Sequence, residues 1–154
     1  MDFEKIKGLL EGFDPAALLP ELDPLLAGLA GSMRCVVMAG PVALLVLGLA
    51  YLFLAPREAN YWFGYRCFFG MGSVEAWRYT QRIAGLVWSG LGLVLTVVMF
   101  FVSAGYAAGE VQEVLSSAMG CVIWEAILIT ASCIVINTVV ALYFDADGEL
   151  RRRR

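Results

Sequence analysis

Three long stretches of this chain are nearly free of charge, and they dominate its pattern. Cys35 to Leu54 is an uninterrupted run of 20 residues, and Ile83 to Ala108 is a second of 26. Val114 to Phe144 is a third, 31 residues broken only by Glu125. A bilayer core of about 30 Å is crossed by roughly 20 helical residues. Backbone polar groups in lipid must be satisfied within helices or closed barrels. The runs lack the alternation of barrel strands. The pattern predicts an all-α integral membrane protein with three transmembrane helices, over about 34–55, 83–106 and 118–144.

The polar segments between the runs organise the rest. Residues 1–32 form an acidic N-terminal segment, 33–146 the three-helix membrane domain with a signature loop at 56–82, and 147–154 a basic tail. Phe3, Ile6, Leu9 and Leu10 recur at helical spacing opposite Glu4, Lys5 and Lys7, which suits a short amphipathic helix at the interface. Pro15, Pro20 and Pro24 then divide the stretch into short pieces. A mobile acidic tail is the equal alternative. In the loop, Ser73 is a good N-cap with Glu75 in the first turn behind it. The helix it starts, near Val74, extends the second span at its cytoplasmic N-terminal end.

Composition agrees. Apolar residues make up 60% and charged residues 16%, against about 45–50% and 25% in soluble domains, and mean hydropathy is +0.76. Charge then gives direction. The first connection holds Arg57, Arg66, Arg78 and Arg82, the tail holds Arg151 to Arg154, and the second connection holds only Glu110 and Glu113. Cytoplasmic loops are enriched in Lys and Arg. The first connection and the C-terminus are therefore expected in the cytoplasm and the N-terminus outside, in a bacterial cytoplasmic membrane. Lys5, Lys7 and Arg34 dissent, outnumbered by six acids ahead of the first span. No cleavable signal peptide is expected, since the first apolar run is long enough to span. The arginine tail reads as a topology anchor, and direct nucleic-acid binding is not expected.

Chemistry is sparse. With no histidine, the commonest general base and metal ligand is missing. Cys35, Cys67, Cys121 and Cys133 have no paired spacing, so neither a metal site nor a cofactor is expected, and the chain does not read as an enzyme. Cys35 and Cys121 share the outer side and leave a disulfide open. Glu125 is the one formal charge inside a span, and such residues tend to be functional. Counting about 20 residues back from Tyr143 and Phe144 places it near the outer boundary, level with Arg34, and predicts an Arg34–Glu125 pair, with a carboxylate snorkelling to water as the alternative. Gly85, Ser89, Gly92 and Thr96 make a stripe of small residues, a packing face within the chain or between copies in a homo-oligomer. Thr130, Ser132 and Asn137 add polar contacts to the third span, with Asn137 facing Arg82 or the loop.

Asn60, Gly64, Tyr65 and Arg66, followed by Ser73, Glu75, Trp77 and Arg82, carry a resemblance. Over roughly residues 56 to 105 the chain resembles the SdpI/YfhL family of small bacterial membrane proteins. It departs from that pattern at Cys67, where Thr is usual, at Phe68, where Pro is usual, and at Gln81, where Asn is usual. The resemblance implies immunity to a secreted peptide toxin, with the toxin as ligand and a cytoplasmic repressor held at the membrane as partner. Arg66 then reads as a functional or fold-organising residue that binds lipid phosphate or pairs with Glu75; a plain topology arginine is the alternative. Asn60 and Gln81 either hydrogen-bond across the connection or serve as ordinary polar interface residues, and Trp77 is expected to act as an interfacial anchor. The competing function is a small transporter or proton-coupled permease, acting as an oligomer through Glu125 and Asn137.

Overall fold

The structure, a computed structural model, describes residues 19–60 and 62–151. The three apolar runs become three long helices: α1 (Leu19–Phe53), α2 (Val74–Ala104) and α3 (Val111–Tyr143). Short 3-10 turns at Phe69–Met71 and Gly105–Ala108 sit in the two connections. No strand occurs among the described residues; Phe144 and Leu150 form one isolated antiparallel bridge.

All three helices are long and apolar enough to cross a membrane. In the most apolar window of each, only 22%, 22% and 17% of the residues are buried inside the protein. Val46, Leu86, Ile134 and Leu142 are each more than half exposed. A chain that turns this much apolar surface outward on every helix has lipid as its solvent.

The first helix begins well before the expected 34. Pro20 lies in its first turn, where the backbone N–H has no intrahelical acceptor. Pro24, one turn on, forfeits a single bond without ending the helix, and the helix also continues through Pro41. The expected division at Pro20 and Pro24 is thus corrected to one continuous helix. The amphipathic helix expected at Phe3 to Leu10, and Pro15, lie outside the described residues.

α1 and α2 pair most extensively, and α3 packs against both. The small-residue stripe explains the first pairing. A Cβ on Gly92 would run into the Leu45 backbone, and one on Gly48 into the Trp88–Ser89 backbone. A Cβ on Gly85 would stand 2.6 Å from Leu52 Cγ. The face predicted from Gly85 and Gly92 therefore serves packing within the chain, with Gly48 as its partner on α1. In lipid such close approach gains dispersion contacts that water would otherwise drive by the hydrophobic effect.

Two apolar clusters hold the helices at opposite ends. Val37, Leu44, Leu95, Met99, Tyr106, Val114 and Ala118 fill the end nearer the second connection. Tyr65, Ala76, Ala84, Ile136, Val140 and Phe144 fill the loop end. The C-terminal tail shares the loop end: Ser73 Oγ donates to Gly148 O at 2.7 Å, and the Arg151 guanidinium lies over the Phe69 ring at 6.0 Å. The arginine-bearing segments thus meet on one side.

Candidate functional site: a loop clamped to the helix ends

The described residues of the first connection, 54–60 and 62–73, fold back over the ends of the helices. Two glycine-dependent features set their path. Gly64 has φ of +126°, a backbone conformation L side chains rarely adopt. A Cβ there would also stand 2.6 Å from two ring carbons of Trp77. Just ahead, Asn60 Oδ1 accepts from the backbone N–H groups of Trp62 (3.0 Å) and Phe63 (2.9 Å), closing a local turn. Asn60 shapes the loop itself, so the expected bond from Asn60 across the connection is corrected to a local one.

Trp77 is fully buried, and its indole N–H donates to Pro56 O at 2.9 Å. The interfacial-anchor expectation is corrected. The loop covers this ring, so Trp77 is a post inside the clamp rather than an aromatic at the lipid surface. Its helix starts as the sequence predicts, with Ser73 Oγ accepting from Ala76 N–H at 3.0 Å and Glu75 in the first turn.

Gln81 closes the clamp. Its carboxamide accepts from Tyr65 N–H and donates to Tyr65 O, both at 2.8 Å, and it is 2% exposed. One side chain thereby satisfies both backbone groups of a buried residue, as a neighbouring strand would. Asn, usual at this position in the resemblance, is one methylene shorter and would need the loop about 1.5 Å nearer the helix.

Tyr65 carries the connection to α3. Its hydroxyl donates to Asn137 Oδ1 at 3.1 Å and lies 3.3 Å from Cys133 O. Its ring meets Trp88 edge-on, with centroids 5.4 Å apart. Trp88 in turn donates to Ser132 Oγ at 3.1 Å. Burial first, then the neighbouring Cys133, hold the Tyr65 phenol above its ordinary pKa, so it stays a neutral donor. Asn137 faces the loop, as expected. Thr130, by contrast, returns its hydroxyl to Ala126 O in its own helix.

Beyond Tyr65 the chain turns outward. Arg66 is exposed. Glu75 and Arg82 are exposed on the first turns of α2. Cys67 Sγ lies 4.0 Å from Thr80 Oγ1. Phe68 has φ of −53°, within the range that proline imposes, so the loop keeps a proline-compatible backbone where the family pattern has one.

The signature therefore assembles into one three-helix clamp. A family model for the SdpI/YfhL protein family matches residues 57–142, more than half of the chain. The chain belongs to the SdpI/YfhL family. No curated protein and no solved structure showed a significant match to it. The family match reaches past the 56–105 of the sequence resemblance to take in most of α3, the helix that Tyr65 reaches through Asn137. In this SdpI/YfhL protein, Asn60, Gly64, Tyr65, Trp77 and Gln81 build the clamp, while Arg66, Glu75 and Arg82 stand on its exposed side.

The intramembrane residues lie elsewhere. Glu125 is 4% exposed, and its Oε1 has no hydrogen-bond partner among the described residues. Its Oε2 faces Gly40, standing 2.6 Å from where a Cβ would be. The Arg34 guanidinium instead lies over the Phe100 ring, 5.3 Å from its centroid. The predicted Arg34–Glu125 pair is not formed. The physical reason is depth: α3 has 33 residues, about 50 Å at 1.5 Å per residue, so counting 20 back from Tyr143 stops short of its far end. Glu125 sits opposite Gly40, and Arg34 lies six residues before Gly40, ~9 Å along α1.

The four cysteines are free, so Cys35 and Cys121 are not bridged. Cys121 Sγ instead lies 3.8 Å from the Tyr106 hydroxyl.

An unpartnered buried carboxyl costs stability, about 1–3 kcal/mol or more. Glu125→Met, similar in length and adaptable in shape, is expected to raise thermal stability in nanodiscs. A fall in the melting midpoint would mean that the carboxyl has a stabilising partner.

Proposed function

We propose that this SdpI/YfhL protein is a membrane immunity or receptor protein against a secreted peptide toxin. In this reading it lies in a bacterial cytoplasmic membrane with its loop end and C-terminus inside and its N-terminus outside. The observation that carries the reading is the position of Tyr65. It is tied to α2 by Gln81 and to α3 by Asn137, and the next residue, Arg66, is exposed. A change in helix packing caused by a toxin at the outer side would shift Tyr65, and with it Arg66. A cytoplasmic repressor could read that shift. Segregated charge supports the direction, with Arg57, Arg66, Arg78, Arg82 and Arg151 at one end and Glu110 and Glu113 at the other. The reading needs no catalytic group and no cofactor.

The test is survival. Cells that carry this gene are expected to resist the secreted peptide of their neighbourhood, and Arg66→Ala to reduce survival to that of cells lacking the gene. Membrane levels, followed by immunoblot, should be unchanged. Full protection by Arg66→Ala would remove the loop from the mechanism.

A second reading, a small transporter or proton-coupled permease acting as an oligomer, draws on Glu125. A buried carboxyl oxygen without a hydrogen-bond partner among the described residues is a group that could carry a proton. Flux in proteoliposomes that is abolished by Glu125→Gln would favour transport over immunity.

A further inference from the structure

Three arginines converge where α1 ends and α2 begins. A cavity of about 450 Å³ is lined there by Arg57, Arg78 and Arg82, with Tyr51, Leu52 and Pro56 among its other walls. No carboxylate among the described residues lines it. Arg78 Nε donates to Arg57 O at 3.3 Å, which fixes the loop arginine beside the helix. Arg78 and Arg82 are four residues apart on α2 and so lie on one face. Like charges at that spacing repel, and a third guanidinium adds to the repulsion. Glu58 adjoins Arg57 in sequence but lines neither this cavity nor its neighbour, and Glu75 lies three residues before Arg78. Glu75 lines a second cavity, which shares Arg78 and Arg82 as walls, with Val74 and Tyr79. The Arg57 and Arg82 side chains make no hydrogen bond or ion pair with the described residues. Three guanidiniums that share a cavity lined by no carboxylate of the described residues are suited to an anion with several oxygens, which planar N–H forks grip two at a time.

Position narrows the chemistry. The cavity opens at the level where the apolar spans end, and Leu52, Ala55 and Pro56 give it an apolar wall beside the arginines. Basic pockets between helices at this level suit lipid phosphate.

We propose that Arg57, Arg78 and Arg82 form a phosphate-binding site, whose occupant is the headgroup of an anionic phospholipid or a soluble phosphate. The site is independent of any toxin. It fixes the junction of α1, the loop and α2 by replacing mutual repulsion with a shared counter-ion.

The experiment uses the full chain in detergent with native mass spectrometry. Phosphatidylglycerol, phosphatidylcholine and inorganic phosphate are added separately. Wild type is expected to retain one phosphatidylglycerol in preference to phosphatidylcholine. Arg57→Gln and Arg82→Gln should each weaken retention about fivefold, since an arginine near a lipid surface contributes on that order. Neither side chain bonds to the described residues, so these variants should fold; circular dichroism checks this, and Arg82→Lys provides a second variant with intermediate retention. Arg34→Gln, at the far end, should bind as wild type. If phosphatidylglycerol is not retained, a rise in melting temperature with inorganic phosphate, lost in Arg57→Gln and Arg82→Gln, supports the soluble source. Binding of neither probe, or equal binding by wild type and both Gln variants, overturns the proposal.

Discussion

Trp77→Ala is expected to be the most damaging single truncation in this protein, costing about 3–5 kcal/mol for the lost ring and the cavity it leaves. The ring is fully buried between Gly64 and the first turns of α2. A further cost of about 1–3 kcal/mol arises if Pro56 O, which accepts the indole N–H, is left unsatisfied. Trp77→Phe separates the two terms, since it keeps an aromatic ring in the space but removes the donor. Thermal unfolding in nanodiscs should rank wild type above Trp77→Phe, and Trp77→Phe above Trp77→Ala. If Trp77→Ala melts with the wild type, the loop does not close over this ring and the clamp is wrong.

Leucine at Gly48 or Gly92 should be as severe by the opposite route. Even one added carbon at either position meets the backbone of the facing helix, which no rotamer change can move aside. Overpacking commonly costs about 1–3 kcal/mol where side chains can yield; here α1 and α2 must separate along their whole contact. Both variants are expected to be degraded in cells or to run as aggregates on size exclusion. Gly90→Leu is the control, because a Cβ at Gly90 meets nothing within 4 Å. Equal yields of monodisperse Gly48→Leu, Gly92→Leu and Gly90→Leu would remove the close α1–α2 contact from the account.

The sequence was most legible where one residue's neighbours decide its state. Long charge-free runs mean spans whatever they pack against, and Ser73 caps α2 through a contact only three residues away. The small stripe at Gly85 and Gly92 was visible for the same reason, because its meaning lies in the helix that bears it. Its partner Gly48 went unread, since one glycine in an apolar run has no pattern until the opposing helix is known. Reading failed where distant segments had to meet. Trp77 beside a membrane looks like an anchor unless the approach of Pro56 and Gly64 to its ring is known. The Gln81 grip on Tyr65 spans 16 residues, and the reach of Tyr65 to Asn137 spans 72. The Arg34–Glu125 pairing failed through an assumed span length, and the break at Pro24 through treating every proline as a helix end.

The reading rests on which side of the membrane the clamp faces. In a background with all four cysteines replaced, single cysteines at Glu58 and Glu110 mark the two ends of the bundle. Both side chains are exposed in the structure. A membrane-impermeant maleimide added to intact cells should label Glu110→Cys, and should label Glu58→Cys only after the membrane is opened. Labelling of Glu58→Cys in intact cells, with Glu110→Cys protected, would place the clamp outside and contradict the account.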